Sequence, residues 1–433
     1  MPDKAPQKPS QPETDGPWER FLDWLAANLL WLTGLRRRTK VLAALAVVLV
    51  CAGIGGLIAY ENLKRPSDVT NSDAAFNPDE TAQKREHTVN WPLYGYDLRR
   101  TRYLPVKGIK PPFKRLWSYG AKPLLEFPPI FVDGVLYALD NSGHAFAIKA
   151  RSGKVLWKRR VAQLNASAPT YSHHRLFIVN LTPGQVLALN PSNGHTEWRK
   201  SLPGRSESSP VVVGERVLIG SYDTHLYALE RLTGKVAWKL KTDGQVHATP
   251  TVVNGVIYFG GCDERFRAVR ASDGVVLFQV ALDANSGSSA VIEGNRAYLG
   301  TFGNEVVAID LAAKKIAWRY KDPDREFPYY SSPALSGGRV FIGGRDKAIH
   351  AIDAATGKGA WKLVTRARVD SSPAVSGSRV FVGSSDGKLY VLDAQTGAKK
   401  WEYEVGDALT SSPAIAGGRL VIGAQDGRLY CFG

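Results

Sequence analysis

From about residue 110 onward the chain alternates apolar and polar positions in short runs broken by Gly, Asp, Asn and Pro, which predicts strands joined by tight turns. Stretches such as LYALERLTGKVAW, IHAIDAATGKGAW and LYVLDAQTGAKKW hold a strand, a turn with Gly, and a second strand ending in an aromatic residue. Gly suits such a turn because it reaches positive φ without steric cost. Upstream in each unit stand two more strands, as in SSPAVSGSRVFVGSSDGKLYVLD, with Gly377 and the Asp386-Gly387 pair at the turns.

The unit repeats. The closing aromatics are Trp117, Trp157, Trp198, Trp238, Phe278, Trp318, Trp361 and Trp401, at intervals of 40, 41, 40, 40, 40, 43 and 40 residues. Gly153, Gly194, Gly234, Gly274, Gly357 and Gly397 stand four positions before their aromatics, and Lys314 takes that place once. A proline opens the units at Pro129, Pro169, Pro210, Pro250, Pro333, Pro373 and Pro413, with Ala290 in the remaining one. Four short antiparallel strands per unit of this length make a propeller blade. Seven intervals give seven complete blades, yet the chain stops at Gly433 with the last strand of a further blade missing. FKRLWSYG around Trp117 has the aromatic in register and no strands of its own before it, so it supplies that strand. The prediction is an all-β, eight-bladed β-propeller over residues 91–433, closed by pairing its two ends, which removes the exposed edges.

The chain ahead of the repeats has a different pattern. Val41 to Tyr60 is uninterrupted by charge, and 20 residues at about 1.5 Å per residue match a hydrocarbon core of about 30 Å. This predicts a single transmembrane helix at 41–60. Arg36, Arg37, Arg38 and Lys40 precede it, whereas Lys64 and Arg65 are offset by Glu61 and Asp68. The positive-inside rule therefore places residues 1–40 in the cytoplasm. Trp18, Phe21, Leu22, Leu25, Leu29 and Leu32 fall at helical spacing within that segment and predict an amphipathic helix at the inner leaflet. Residues 61–90 are polar and predict a linker. The expected location is the cytoplasmic (inner) membrane, single-pass, with the propeller extracytoplasmic.

Composition sharpens the partner question. The net charge is +16, from 56 basic and 40 acidic residues, and residues 91–433 alone carry 45 and 29 of these. A basic domain outside the cytoplasm predicts envelope proteins or anionic cell-wall or lipid ligands, and no nucleic acid. Basic clusters at Arg99, Arg100 and Arg102, at Lys107, Lys110, Lys114 and Arg115, and at Lys154, Lys158, Arg159 and Arg160 are expected around the closure region. Three cysteines, Cys51, Cys262 and Cys431, cannot form a disulfide framework. Cys431 falls at the register of Ala228 and Val391 and is expected to be a buried strand residue. His173 and His174 are expected in a solvated turn. No H-E-x-x-H, G-x-S-x-G or G-x-x-x-x-G-K-[ST] motif occurs.

The units AIDAATGKGAW (351–361) and VLDAQTGAKKW (391–401) resemble the pyrroloquinoline-quinone (PQQ) repeat family, and NWPLYGYDLRRTRYLP (90–105) is similar to the segment that opens many such propellers. The resemblance covers about 90 to 433. It implies an eight-bladed fold of the quinoprotein alcohol dehydrogenase-like type, shared by quinoprotein dehydrogenases and by non-catalytic propellers such as the scaffold subunit of the outer-membrane β-barrel assembly machinery. The dehydrogenases carry an adjacent Cys-Cys disulfide, calcium ligands and often a C-x-x-C-H haem site. This sequence has none of the cysteine features, and its nearly insertion-free repeats leave little loop from which to build a pocket. The expected function is a non-enzymatic protein-binding scaffold or anionic-ligand-binding module, with no cofactor, metal or catalytic residues. The alternative is a PQQ-dependent oxidoreductase.

Blade topology predicts where a partner binds, because the loops between blades and the loops between the second and third strands share one face. Just before the Ser-Ser-Pro starts lie Glu126, Ala166, Glu207, His247, Gly287, Tyr330, Asp370 and Thr410, which differ from blade to blade. The candidate binding face comprises Glu126, Glu207, His247, Tyr329, Tyr330 and Asp370 with Arg205, Arg325, Arg345, Arg366 and Arg368. Asp223, Asp263, Asp346, Asp386 and Asp426 are expected beside them.

Overall fold

In the computed structural model the described residues are 69–70, 90–105, 109–121 and 124–433. The expected cytoplasmic helix and the transmembrane helix at 41–60 lie outside these residues, as does most of the linker. Among the described residues, no helix is long and apolar enough to cross a membrane.

The repeats form eight antiparallel sheets in sequence around a ring. In the third blade the strands are Val211–Val213, Arg216–Gly220, His225–Glu230 and Val236–Lys241, in that order from the axis outward. The second and third strands are buried on both faces, because each sheet is sandwiched between its neighbours. The outer strand alternates between exposed and half-buried positions. The apolar cores accordingly lie between blades: one joins Ile178 and Leu187 of the second blade to Ile130 and Tyr137 of the first. Another joins Ile342 of the sixth to Tyr298 of the fifth.

The ring closes as the repeat arithmetic requires. Arg115–Gly120 pairs antiparallel with Arg428–Phe432, and Trp117 stands opposite Cys431. In the other blades that partner is Ala147, Ala188, Ala228, Ala268, Ala308, Ala351 or Val391. Cys431 is fully buried at this small-residue position, and burial pushes its thiol up to about 12.

Six of the closing tryptophans tie one blade to the next. Trp117 Nε1 donates to the Ala150 carbonyl at 2.8 Å, Trp157 to Pro191 at 2.8 Å, and Trp198 to Arg231 at 2.9 Å. Trp238, Trp318 and Trp361 donate to Ala271, Ala354 and Ala394 at 3.1 Å. The receiving turn carries the repeat's glycine. Gly194 sits at φ +72 with its α-carbon against the Trp157 ring, and a Cβ there would fall 2.6 Å from the ring. The glycine thus serves both the turn and the packing of the preceding blade's indole.

Residues 90–105 take a path the sequence did not predict. They run around the inside of the ring, at the end opposite the loop face, and accept hydrogen bonds from the middle residue of one innermost strand after another. The Trp91, Pro92, Leu98, Arg99, Thr101 and Arg102 carbonyls receive the amides of Phe131, Tyr171, Val252, Ile292, Leu335 and Val375. Tyr103–Leu104 then pairs in parallel with Ala374–Ser376. The expected basic cluster is therefore corrected: Arg99 is exposed, but Arg100 and Arg102 are 0% and 1% exposed and lie inside the ring. His173 and His174 are exposed in a positive-φ turn, as expected.

Candidate functional site

In seven of the eight blades the turn between the second and third strands donates a backbone hydrogen bond to the loop entering its own blade. The amides of Asn141, Tyr222, Cys262, Phe302, Arg345, Ser385 and Gln425 donate to the carbonyls of Leu124, Arg205, Gln245, Asn285, Pro328, Arg368 and Ala408. These paired loops build one face. On the axis they enclose a cavity of about 170 Å³ whose wall includes Glu126, Ala166, Glu207, His247, Gly287, Tyr330, Asp370 and Thr410, one from each blade. Toward Arg368 and Leu164 it widens into a mouth of about 460 Å³. Ligand pockets commonly measure about 300–1,000 Å³, so the mouth is within that range and the inner cavity below it.

Beneath these residues is a collar of hydroxyls. The backbone amides of Ala168, Ser289, Ser332 and Ser372 donate to Ser209, Ser332, Ser372 and Ser412 hydroxyls at 2.9–3.0 Å, each reaching the next blade. The Ser209 amide reaches Thr249 Oγ1 in the same way. Tyr94, from the segment inside the ring, projects its hydroxyl into this collar, 3.2 Å from Ser332 Oγ and 3.1 Å from Ser372 Oγ. It forms the floor. The Arg102 guanidinium lies 4.0 Å from the Tyr94 ring centre, and Arg100 donates to the Pro250 and Tyr94 carbonyls. Burial alone would raise the Tyr94 phenol, but the Arg102 charge and the two serine contacts outweigh it and hold it below its ordinary value. Burial pulls Arg100 down to about 9.

The charged side chains of the wall are already paired. Glu207 contacts His247 Nε2 at 2.8 Å, and this bond is the main reason its carboxyl lies below the usual range. Asp370 is gripped from two sides, by Arg345 Nε at 2.8 Å and Arg368 Nε at 2.9 Å. Arg345 also covers the Tyr330 ring at 4.5 Å. Glu126 bridges the closure, receiving Asn141 Nδ2 at 2.6 Å and Gln425 Nε2 at 2.9 Å. Aromatic contacts tie the wall together: Tyr222 stacks on His247 at 5.7 Å, and Phe302 meets Tyr330 at 5.6 Å. Arg205, Arg325, Arg366 and Arg368 are exposed on the same face, and Leu124, Leu164 and Phe327 stand out beside them.

One residue of the expected face is elsewhere. Tyr329 is 2% exposed and packs between the fifth and sixth blades against Tyr320 and His350. It occupies the repeat position of Val246, Val369 and Leu409, which are all fully buried. The turn aspartates are also less available than expected. Asp223, Asp386 and Asp426 accept bonds from the tyrosine hydroxyl four residues on. Asp263 pairs with Arg267, and Asp346 with His350. The sequence signal for this was visible in the recurring four-residue spacing.

Among the described residues, the one group of acidic and histidine side chains close enough to hold a metal is Asp322, Asp346 and His350. It is buried beneath the face, not in the funnel. His350 Nε2 bonds Asp346 at 2.7 Å, and its Nδ1 meets the Tyr320 hydroxyl at 3.1 Å. Lys362 Nζ lies 2.9 Å from Asp322. Both ring nitrogens and the neighbouring carboxylate are thus engaged by protein. The free cysteines Cys262 and Cys431 sit in different blades. The funnel's three carboxylates belong to separate seams, each with its own donor. These residues do not fit a quinone held against a disulfide with a divalent cation.

A family model described as outer membrane protein assembly factor BamB, PQQ_2, matches residues 108–221, 182–326 and 318–432. The chain belongs to this PQQ-like propeller family. Over 104 residues it is 31% identical to the outer membrane protein assembly factor BamB of Yersinia pestis, covering 24% of this chain and 26% of that one. Over 97 residues it is 32% identical to the tetrathionate hydrolase of Acidithiobacillus ferrooxidans, covering 22% and 19%. The matches thus span about a quarter or less of these relatives. The fold is similar to that of BamB from Moraxella catarrhalis, with TM-score 0.64 and 16% identity over 74% of this chain and 99% of that one. It is likewise similar to the quinohemoprotein alcohol dehydrogenase of Comamonas testosteroni, with TM-score 0.70 and 15% identity over 83% and 82%. An outer membrane assembly factor and an alcohol dehydrogenase therefore share this architecture, and the site must separate such roles.

Proposed function

We propose that this PQQ-like propeller is a non-enzymatic, protein-binding scaffold of the cell envelope, held at the inner membrane by the helix at 41–60 and engaging its partner through the funnel face. The observation that carries the reading is the wall of eight residues of seven kinds, one per blade, on an otherwise repeated framework, with its carboxylates already bonded to His247, Arg345, Arg368, Asn141 and Gln425. A general base needs an accepting atom within reach of substrate; here each carboxylate of the wall is held by a protein donor, and His247 Nδ1 is left without a partner. A recognition surface gains from that arrangement, since fixed side chains lose little freedom on binding. The exposed arginines and the charge of +16 favour an acidic envelope protein over a neutral one, chiefly through faster encounter. Leu124, Leu164 and Phe327 supply the apolar contacts that charge alone lacks.

The second reading, a quinoprotein oxidoreductase, draws on the fold shared with the alcohol dehydrogenase. Titrating the purified full chain with PQQ and calcium, while recording quinone absorbance and dye-linked alcohol oxidation, separates the two. The scaffold reading expects neither stoichiometric uptake nor turnover, and both together would overturn it.

A further inference from the structure

The outer strands of the ring are protected edges in every blade but one. Seven of them carry Lys, Arg or Glu, as in Val155–Arg160, Lys315–Tyr320 and Lys399–Glu404. The outer strand of the fourth blade, Val276–Ala281, reads VLFQVA and has no charge. Val275, Val276 and Leu277 are 46%, 38% and 44% exposed. An uncharged, exposed, β-branched edge is what soluble proteins avoid, because its unpaired amides and carbonyls template a further strand. The first blade shows how this ring treats an outer edge that is covered: Val69–Thr70 pairs antiparallel with Thr70 opposite Trp157 and Val69 opposite Lys158.

The neighbourhood specifies the occupant. The outer strands on either side present exposed Lys239 and Lys241 from the third blade and Lys315 from the fifth, while Lys321 just beyond is paired with Glu305. An apolar strip between two basic strands fits an apolar segment bounded by acids. It disfavours a second copy of this chain, in which Asp273 and Asp283 bound the same strand but are already paired with Arg270 and Arg319.

We propose that Val276–Ala281 is a β-augmentation edge that receives an extended, uncharged segment, flanked by Asp or Glu, from the envelope protein held at the funnel. Main-chain bonds give such a contact its affinity, and alternate side chains give it specificity. The inference rests on the scaffold reading and names a second point of attachment for the same partner.

The test is in-cell photo-crosslinking of the full chain, with the crosslinking amino acid at position 275, followed by sequencing of the captured segment. Parallel samples carry it at position 410 in the funnel. The expected result is capture of an apolar, acid-flanked segment from the same protein at both positions. Val276→Lys with Leu277→Lys, which gives this strand the lysines found at 399 and 400, should cut capture from position 275 by about tenfold or more, as a lost strand pairing would. Its melting temperature should stay at the parent value, because both side chains are exposed. Capture from 410 with none from 275 overturns the inference and leaves the scaffold reading standing. Capture of a second copy, or of a charged segment, at 275 also overturns it, and no capture at either position removes both.

Discussion

Lys314 extends its ammonium over the ring of Phe278 in the preceding blade, with Nζ 5.8 Å from the ring centre. These are the two places where the repeat departs from its Trp and Gly pattern, and they are the same contact. Elsewhere a glycine lies beneath a tryptophan, and a Cβ at Gly234, Gly274 or Gly357 would fall only 2.5 to 2.6 Å from the indole. A smaller ring at 278 leaves room for the Lys314 side chain, which holds φ +54 in the same turn.

Phe278→Trp should therefore destabilise the chain by about 1–3 kcal/mol through overpacking. Lys314→Gly should recover most of that loss in the double variant, and a coupling of about 0.5–3 kcal/mol is expected for groups in contact. Chemical unfolding of the four proteins checks this.

Trp117 closes the ring. It pairs with the far end of the chain at Cys431 and donates to Ala150 of the first blade. Trp117→Ala should cost about 3–5 kcal/mol, as large-to-small changes at packed sites do. Trp117→Phe should cost less, since Phe278 shows that a blade tolerates the smaller ring. Unfolding midpoints for both variants test the order.

Asp322 is buried where other blades place Leu202, Leu282 or Thr365. Its burial would raise the carboxyl, but hydrogen bonds from Lys362 and from the Asp324 amide outweigh this and hold it below the usual 3.8. A carboxyl lowered on folding adds stability that is whole above its unfolded value and is lost as pH falls through the folded one. Lys362→Met should destabilise the chain by about 1–3 kcal/mol at pH 7, the order of a lost hydrogen bond to a charged group whose buried partner, Asp322, is left short of a donor. The penalty should shrink as pH falls below the ordinary carboxylate value of 3.8 and on through the lower folded one. Thermal melts of both proteins from pH 7 to pH 3 report it.

At alkaline pH the direction reverses. Burial, joined by nearby carboxylates, raises Tyr227, Tyr320, Tyr329, Tyr390 and Tyr430, with Tyr320 pushed up to about 12. Stability from such groups is whole below the ordinary value of about 10 and is lost as pH rises toward the folded one. Tyr94 moves the other way and should ionise before them. Tyrosinate absorbance should show an early step that Tyr94→Phe removes, while unfolding follows at higher pH.

The strand pattern, the blade count and the closure were legible because they depend on local spacing. Aromatic intervals and turn glycines fix register without knowledge of contacts. The wall of the funnel was legible for the same reason, since one position per blade must face the axis. Tyr329 was misplaced because, beside Tyr330, its aromatic type suggested a binding face, whereas its register with the buried Val369 and Leu409 marks a packing position. Arg100 and Arg102 were taken for surface charge, because burial of a guanidinium against backbone carbonyls and the Tyr94 ring is a tertiary arrangement with no periodic trace. The Asp322, Asp346 and His350 cluster joins a loop, a turn and a strand, so spacing alone could not assemble it.

The central claim is that the funnel face binds a protein. Photo-crosslinking amino acids at positions 330 and 410, and at positions 214 and 254 in turns of the opposite face, test it in cells making the full chain. The account predicts one discrete protein captured from 330 and 410 alone, with yield lowered by Arg366→Glu combined with Arg368→Glu. Equal capture from both faces, or none from the funnel, would contradict it.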